Sequence, residues 1–368
     1  MAVATEFPAV VESSPSATAD DADYRPSRAG IAARGLVWLL LAYVVFVFAP
    51  NTSERAAYAI DAAIFAMVGL SLNVLIGYTG QLSLGHQGFL GAGAIAAAYF
   101  QAKQSMPFFF CLLSGVLVGA LFAIVLGIVA LRITGLYLAL ITLVFGLTLQ
   151  DSLFQVPALT GGGAGQPADR PSWLLDNWRF YFFCLALLAV VIYVDWRMTR
   201  SKTGRALLAL KENERVAAAF GINVTAYKLL GFVISGGVGG LAGALFAYKS
   251  QQFSGADYDF FLALTFVLMT VVGGAGSRVG VILGSVLFAV LRPVLGSAHF
   301  LTDLFGTNAQ FAPDVIGALL LLLTLVFNPG GIAQQVRPLT RWLSGHRFTL
   351  HGHTEAGPRA VEGSSVRA

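Results

Sequence analysis

The sequence predicts an all-α polytopic membrane protein with about ten transmembrane helices, some broken or re-entrant, and with both termini in the cytoplasm. Of its 368 residues, 57% are hydrophobic and 11% are charged, whereas a soluble domain has about 25% charged residues. Apolar segments long enough, or nearly long enough, to cross a bilayer recur along the chain. Seventeen of the 23 lysines and arginines fall in the two tails or at the inner ends of the predicted segments, which is the bias that orients membrane proteins.

Ten apolar segments are predicted to cross the membrane, each needing about 20 helical residues for a full span. Their limits are 35–50, 56–78, 84–100, 107–131, 134–156, 178–195, 226–248, 258–273, 279–300 and 313–328. Glycines around Gly80 and Gly274 predict breaks or re-entrant pieces there. We therefore expect a disordered cytoplasmic N-terminal tail over residues 1–34, a transmembrane domain over 35–335 and a polar cytoplasmic C-terminal tail over 336–368.

A polar loop over residues 196–225 separates two apolar blocks, and we refer to it as the polar loop. Its basic residues are Arg197, Arg200, Lys202, Arg205, Lys211 and Arg215. This density of positive charge places the loop on the cytoplasmic side. Helix-forming residues without proline predict one amphipathic helix over 203–220, about four to five turns long, ended by Gly221. The residues alone leave three uses open: binding another protein, lying on lipid, or connecting the spans.

Glycines and polar residues interrupt the apolar run over residues 72–94. A broken helix in a membrane leaves peptide groups that need partners, and polar residues beside such a break often line a substrate path. The candidates for a translocation path or gate in this run are Gly77, Gly80, Gln81, Ser83, Gly85 and His86. The alternative is a close-packed helix interface with a structural histidine. The glycine pairs Gly236/Gly240 and Gly239/Gly243 are predicted to be helix contacts.

The sequence contains no signature of a nucleotide site, a metal site or a disulfide framework. No Gly-Lys dipeptide occurs, so the phosphate-binding loop of ATPases is absent from the sequence. The two cysteines, Cys111 and Cys184, lie in apolar segments without metal-ligand spacing. We expect no cofactor and no enzymatic activity, and if ATP drives the protein, another polypeptide must hydrolyse it.

The chain resembles the LivM-type permeases of branched-chain amino acid ABC importers, which belong to the LivHM family of binding-protein-dependent permeases. The resemblance covers nearly everything between residues 35 and 335, in family order, and implies a transmembrane permease domain there. The matching stretches are LNVLIGYTGQLSLGHQGF at 72–89, LRITGLYLALITLVFG at 131–146, TGGGAG at 160–165, GRALLALKENERVAAAFGINVTAYKLLGFVIS at 204–235, VVGGAGSRVGVILGS at 271–285 and FNPGGI at 327–332.

The resemblance implies a set of partners and a place in the cell. The family pairs a LivM-like with a LivH-like permease, sets two cytoplasmic ABC ATPases beneath them, and receives substrate from an extracytoplasmic substrate-binding protein. It implies the bacterial inner membrane. The stretch ERVAAAFG at 214–221 resembles the family's ATPase-coupling segment, although Arg215 and Val216 interrupt the consensus. The residues assigned to ATPase coupling are Arg205, Glu212, Glu214, Ala217, Ala218 and Gly221.

The resemblance also gives roles to the second glycine break and to an outer loop. Gly273, Gly274 and Gly276 join the candidates for path-lining or gating backbone, and the loop over 157–177 is a candidate contact for the binding protein. Three alternatives remain: a permease of the same family for urea, amides or other small solutes, an ion-coupled secondary carrier, and a structural or receptor-like membrane protein.

Overall fold

The computed structural model describes residues 28–131, 133, 135–162, 165–296, 319, 323 and 330–343. The chain falls into two compact units. The larger is Tyr43–Gln335, and the smaller combines Met1–Ala42 with Val336–Ala368. The described part of the smaller unit belongs to two helices, one near each end of the chain.

Helices dominate the described residues. They are α1 (Arg28–Tyr43), α2 (Ser53–Asn73), α3 (His86–Gln104), α4 (Phe108–Ala130), α5 (Leu136–Asp151), α6 (Pro157–Thr160), α7 (Asn177–Arg200), α8 (Lys202–Glu212), α9 (Glu214–Ala219), α10 (Val224–Ser250), α11 (Phe260–Gly273), α12 (Arg278–Gly296) and α13 (Gly331–Leu343). Wider π turns over Val44–Phe48 and Val74–Thr79 extend α1 and α2. The short strands β1 (Gln166–Pro167) and β2 (Gln252–Phe253) pair antiparallel.

In the described part of the chain, helices occupy the first nine predicted membrane segments. Six of these helices are long and apolar enough to cross a membrane, which makes the chain an all-α polytopic membrane protein. They are Ser53–Thr79, Phe108–Ala130, Leu136–Gln155, Asn177–Arg200, Val224–Ser250 and Gly255–Gly273. The predicted segment 84–100 corresponds to α3, which is not among the six because histidine, glutamine and lysine near its ends lower its mean hydropathy. The tenth segment, 313–328, lies outside the described residues except for 319 and 323.

The helices at the two ends of the chain differ from the predicted tail limits. Helix α1 begins at Arg28, ahead of the predicted limit at residue 34, because alanine and arginine continue the helix upstream of the apolar run. Helix α13 reaches Leu343 inside the predicted tail 336–368. The remaining residues of both predicted tails lie outside the described ranges.

The interior of the larger unit is built from helices rich in small residues. Helix α10 packs against α4, α3 and α2, and α3 is buried over residues 86–98. A Cβ atom at Gly93 of α3 would overlap the carbonyl oxygen of Gly240 in α10, and one at Gly240 would overlap the carbonyl oxygen of Gly115 in α4. The predicted helix contacts of α10 are thereby confirmed as close backbone approaches at Gly236, Gly240 and Gly243, whereas Gly239 faces side chains only.

Helix α4 carries a face of exposed large apolar side chains. Leu117, Leu121, Val125 and Ile128 are each more than half exposed and recur every three to four residues, so they form one stripe. A stripe of this size would be costly in water, whereas lipid tails are as apolar as the side chains themselves. The stripe therefore marks a side of the bundle that faces lipid or another membrane subunit.

Candidate functional site

The polar loop folds as two helices rather than one. Helix α8 ends at Glu212, and Asn213 adopts an extended conformation with φ −162°. The Asn213 side-chain oxygen then accepts hydrogen bonds from the backbone N–H groups of Arg215 and Val216, at 3.0 and 3.2 Å. The prediction of one helix over 203–220 is wrong at this position, because the asparagine side chain caps a new helix in place of continuing the first.

Helix α9 ends at a glycine, as predicted. Gly221 has φ +80°, and a Cβ atom built there would have nothing within 4 Å. The N–H of Ile222 donates to the carbonyl of Ala217 at 3.1 Å, which closes the end of the helix. Phe220 beside it is 83% exposed and Val216 is 50% exposed. We call Val216, Phe220 and Gly221 the exposed ridge.

Of the six predicted coupling residues, four are exposed on the surface and two attach α9 to the rest of the protein. Those that are exposed are Arg205, Glu212, Ala218 and Gly221. Ala217 is buried, and the Glu214 carboxylate forms an ion pair of 2.6 Å with Lys228 on α10, whose side chain is 4% exposed. Glu214 and Ala217 therefore hold α9 against the transmembrane bundle, while the other four face outward.

Helix α8 lies against the bundle and reaches the first glycine break. Leu207 and Leu210 are buried. The Lys211 ammonium donates a hydrogen bond of 3.0 Å to the carbonyl oxygen of Gly77, and a Cβ atom at Gly80 would lie 3.3 Å from the Lys211 Cγ atom. The polar loop is thus in direct contact with the end of α2.

The two glycine breaks predicted from the sequence lie side by side. The π turn that ends α2 stops at Gly80, with φ +70°, and the turn between α11 and α12 contains Gly274 and Gly276, with φ +103° and +94°. The Asn73 side-chain oxygen accepts a hydrogen bond of 2.7 Å from the backbone N–H of Gly276. We call residues 77–80 and 274–277 together the paired break.

A buried carboxylate ties three elements together beside the paired break. Asp195, near the end of α7, is 5% exposed and accepts a hydrogen bond of 3.1 Å from the Tyr78 hydroxyl. The Arg278 guanidinium at the start of α12 forms an ion pair with the same carboxylate and donates to the Thr199 hydroxyl. The start of the polar loop is therefore joined to both halves of the paired break.

A buried hydrogen-bonded cluster joins α2, α3 and α10. The Ser71 hydroxyl donates to the carbonyl of Ser235 at 2.6 Å, and the Ser235 hydroxyl donates to the carbonyl of Ser71 at 2.8 Å. His86 Nε2 lies 2.7 Å from the Ser71 hydroxyl oxygen. Because the Ser71 proton is used, Nε2 must carry the proton of this bond, which leaves Nδ1 as an acceptor. We call these three residues the serine–histidine cluster.

The connection from Gly80 into α3 buries polar groups without protein partners. Among the described residues, Gln81 Oε1, Ser83 Oγ, His86 Nδ1 and the side-chain amide of Gln87 have no hydrogen-bond partner. Such groups are costly to bury in a membrane protein unless water or a solute meets them. This connection is held by the Leu84 N–H, which donates to a threonine hydroxyl of α5 at 2.9 Å.

The predicted path residues therefore form two groups. Gly77, Gly80, Gly274 and Gly276 lie in the paired break, and Gln81, Ser83, Gly85 and His86 lie on the connection into α3. Gly273 and Gly85 also serve close packing, since a Cβ atom at Gly273 would overlap Gly280 of α12 and one at Gly85 would overlap the carbonyl of Thr142 in α5.

Sequence reasoning missed Lys211, Asp195 and Arg278 as parts of this site. Asp195 and Arg278 have opposite charges at the ends of two apolar segments, and that pattern was available as a signal for pairing. Lys211 is one of several basic residues in the polar loop, and nothing in the sequence distinguishes it. The exposure of Phe220 depends on the break at Asn213, so it could not be predicted from the sequence either.

The loop over 157–177 is fixed to the end of α10. The Arg170 guanidinium donates to the carbonyls of Tyr248 and Lys249, at 2.9 and 3.0 Å, and to the Asn177 side chain at 2.8 Å. Burial lowers the pKa of Arg170 from its ordinary value. The Arg170 guanidinium also stacks over the Phe180 ring, with its Cζ atom 4.2 Å from the ring centroid. The loop is an ordered part of the bundle where it is described.

A family model for the permease component of branched-chain amino acid transport systems matches residues 55–326. The match begins at the start of α2, includes the polar loop and both halves of the paired break, and extends beyond α12. It covers far more than half of the chain.

Individual relatives agree with this match. The chain is 28% identical over 356 residues to the high-affinity branched-chain amino acid transport system permease protein LivM of Salmonella typhimurium, covering 87% of this chain and 80% of the relative. It is 29% identical over 312 residues to LivM of Escherichia coli, covering 77% and 70%. It is 30% identical over 184 residues to the permease protein LivH of Salmonella typhimurium, covering 49% and 54%. The chain belongs to the family of permease components of branched-chain amino acid transport systems.

Proposed function

We propose that the chain is the membrane-spanning permease subunit of an ABC importer that moves branched-chain amino acids into the cell, driven by ATP hydrolysis on separate ATPase subunits. Family membership and the LivM relatives support this function. The observation that carries the mechanism is the hydrogen bond from Lys211 to the Gly77 carbonyl. This bond joins the polar loop, which faces the ATPases in this proposal, to the π turn where the regular helix of α2 is interrupted.

The proposed topology has ten spans in the bacterial inner membrane, with both tails in the cytoplasm. The excess of lysine and arginine in the polar loop supports a cytoplasmic position for that loop. With this orientation, α2 begins and α10 ends on the outer side of the membrane. The tails over 1–34 and 336–368 lie inside the cell in this scheme.

The exposed ridge is the proposed docking surface for an ATPase subunit. An 83% exposed phenylalanine in an otherwise polar loop is a typical anchor for a protein partner. Glu212 and Arg205 supply flanking charges on the same loop. When ATP closes the ATPase dimer, movement of the ridge reaches α10 through the Glu214–Lys228 ion pair and the paired break through Lys211.

The buried polar groups beside Gly80 are the proposed lining of the translocation path. Gln81, Ser83 and His86 present hydrogen-bonding atoms that no described residue meets. A shift of the paired break would move this connection relative to α5 and α10, and would alternate its access between the two sides of the membrane.

The proposed assembly contains a LivH-type permease, two cytoplasmic ABC ATPases and an extracytoplasmic substrate-binding protein at the loop over 157–177. The similarity of this chain to a LivH protein over about half its length supports pairing with a permease of related sequence. The ATPase subunits supply the nucleotide site whose sequence signature this chain lacks.

Affinity purification from native membranes in mild detergent tests the proposal. We expect two ATPase subunits and a second permease to accompany the chain, and the associated binding protein to bind leucine, isoleucine or valine. A chain that purifies alone and carries solute in ATP-free vesicles would instead be a secondary carrier. A binding protein that prefers urea or amides would leave the family of this chain unaffected, but it would rule out branched-chain amino acids as the substrate.

A further inference from the structure

A polar cavity opens where α2 begins and α10 ends. It has a volume of about 400 Å³, which is within the range of small-molecule sites. Charged side chains line it beside apolar ones: Asp61, Lys249, Asp257 and Asp259 supply the charges, and Phe65, Phe246, Leu262 and Ala289 are among the apolar residues. None of the residues that line this cavity is among the path residues discussed above.

The charges of this cavity have both signs and are accessible. Lys249 Nζ lies 3.0 Å from Asp61 Oδ1, and the two side chains are 28% and 21% exposed. A partly exposed ion pair of this kind contributes little stability, about 0–1 kcal/mol, so Lys249 remains able to bind a charged ligand. Asp259 caps α11 through one of its two carboxylate oxygens, which accepts from the Leu262 N–H at 2.9 Å.

The apolar wall of the cavity is firmly supported. Phe65 packs edge to face against the fully buried Phe266, with ring centroids 5.7 Å apart. Phe246 lies on the other side, with its ring centroid 5.9 Å from Lys249 Nζ. The cavity therefore combines an ammonium group, carboxylates and aromatic surface within one volume.

We propose that this cavity binds an amino acid with an apolar side chain, as an entry site on the outer side of the permease. Lys249 binds the α-carboxylate, Asp257 and Asp259 bind the α-ammonium, and Phe65 and Phe246 contact the side chain. The assignment rests on the proposed function for the identity of the ligand. A metal ion fits less well, because Lys249 repels it and the described residues contain no group of three or more His, Cys, Asp or Glu side chains placed to hold one.

Protection of a single cysteine against a maleimide tests the proposal on the full chain in lipid nanodiscs. The natural cysteines, Cys111 and Cys184, are both buried. Ala256 is exposed and lines the cavity, so Ala256→Cys places a reactive thiol in it. Ala102→Cys, exposed at the end of α3, is the matched control. We expect leucine to slow the labelling of Ala256→Cys severalfold and to leave Ala102→Cys unchanged.

Two analogues test whether both charges are recognised. The leucine analogue 4-methylpentanoate lacks the ammonium group and isopentylamine lacks the carboxylate, so neither is expected to protect. In the Ala256→Cys background, Lys249→Gln is expected to remove protection by leucine and Lys249→Arg to keep it. Three results would overturn the proposal. They are equal labelling of Ala256→Cys with and without leucine, equal protection at Ala102→Cys, and protection by either analogue that is as strong as protection by leucine.

Uptake by the purified complex, measured in parallel, separates this site from the proposed function. A complex that takes up leucine while Ala256→Cys is unprotected would refute the cavity alone. A chain that is protected by leucine, in a complex that does not take leucine up, would refute the importer alone.

Discussion

Lys211 and Gly77 are 134 residues apart, yet the Lys211 ammonium donates to the Gly77 carbonyl at 3.0 Å. The carbonyl lies in a π turn, where the regular hydrogen bonds of α2 are already disturbed. A charged donor from a separate helix therefore satisfies backbone at the point where the membrane helix breaks. Any movement of α8 acts on the paired break through this bond.

Replacement of Lys211 tests whether the polar loop drives the break. A hydrogen bond to a charged group contributes about 1.5–3 kcal/mol, so Lys211→Met should lower ATP-driven uptake by about tenfold or more while the complex still hydrolyses ATP. Lys202→Met, at an exposed position of the same helix, should behave like the wild type. Uptake and ATPase rates in proteoliposomes measure both effects. Unchanged uptake in Lys211→Met would remove the bond from the mechanism.

Gly221 tests the exposed ridge. A Cβ atom there meets nothing within 4 Å, and asparagine or aspartate at positive φ costs about 1–2 kcal/mol, so both variants should insert and fold. We expect Gly221→Asp to abolish ATP-coupled uptake and to release the ATPase subunits on purification. Gly221→Asn has the same size without the charge and should lose less. Normal uptake by Gly221→Asp would contradict the coupling assignment.

The serine–histidine cluster should stabilise the contact between α2 and α10. Ser71→Ala removes the donor to the Ser235 carbonyl and the acceptor for His86, whereas Ser235→Ala removes one donor, so Ser71→Ala should lower the melting temperature more. Each hydroxyl donates to the other residue's backbone carbonyl, which alanine keeps, so the effects of the two substitutions should add to within about 0.5 kcal/mol in the double variant. Ser114→Ala is the control, because that hydroxyl bonds only within α4, to the carbonyl of Cys111. A Ser71→Ala variant that is as stable as Ser114→Ala in thermal unfolding would argue against the cluster.

Close backbone packing of α10 predicts different results at two nearby glycines. A Cβ atom at Gly240 would overlap the Gly115 carbonyl, whereas one at Gly237 would have its nearest neighbour at 3.6 Å. Gly240→Ala should therefore destabilise the bundle by about 1–3 kcal/mol, and Gly237→Ala should be neutral or slightly stabilising. Thermal unfolding in detergent compares the two. Equal melting temperatures would show that α4 and α10 separate without cost.

Local patterns in the sequence were sufficient to predict most of the helices. Apolar runs and helix-forming residues specify where a helix lies, and glycines such as Gly80 and Gly221 have the positive φ values that their turn positions require. The break at Asn213 escaped prediction, because its neighbours all favour a helix and one side chain decided the outcome by capping the next segment.

Contacts between distant segments could not be predicted in the same way. The Asn73–Gly276 bond spans 203 residues, and it exists only because α2, α11 and α12 pack together. The same holds for the bond between Lys211 and Gly77. Lys211 is one of several basic residues in the polar loop, and only the packing of α8 brings its ammonium group to the Gly77 carbonyl. The candidate residues of the paired break were therefore available from the sequence, but their adjacency was not.

The most direct test of the account is uptake of labelled leucine into proteoliposomes that contain either the purified complex or this chain alone. The account predicts accumulation only by the complex, only with its binding protein, and only when ATP is present on the ATPase side. Accumulation by the chain alone in ATP-free vesicles would contradict it, because the polar loop would then have no ATPase to couple.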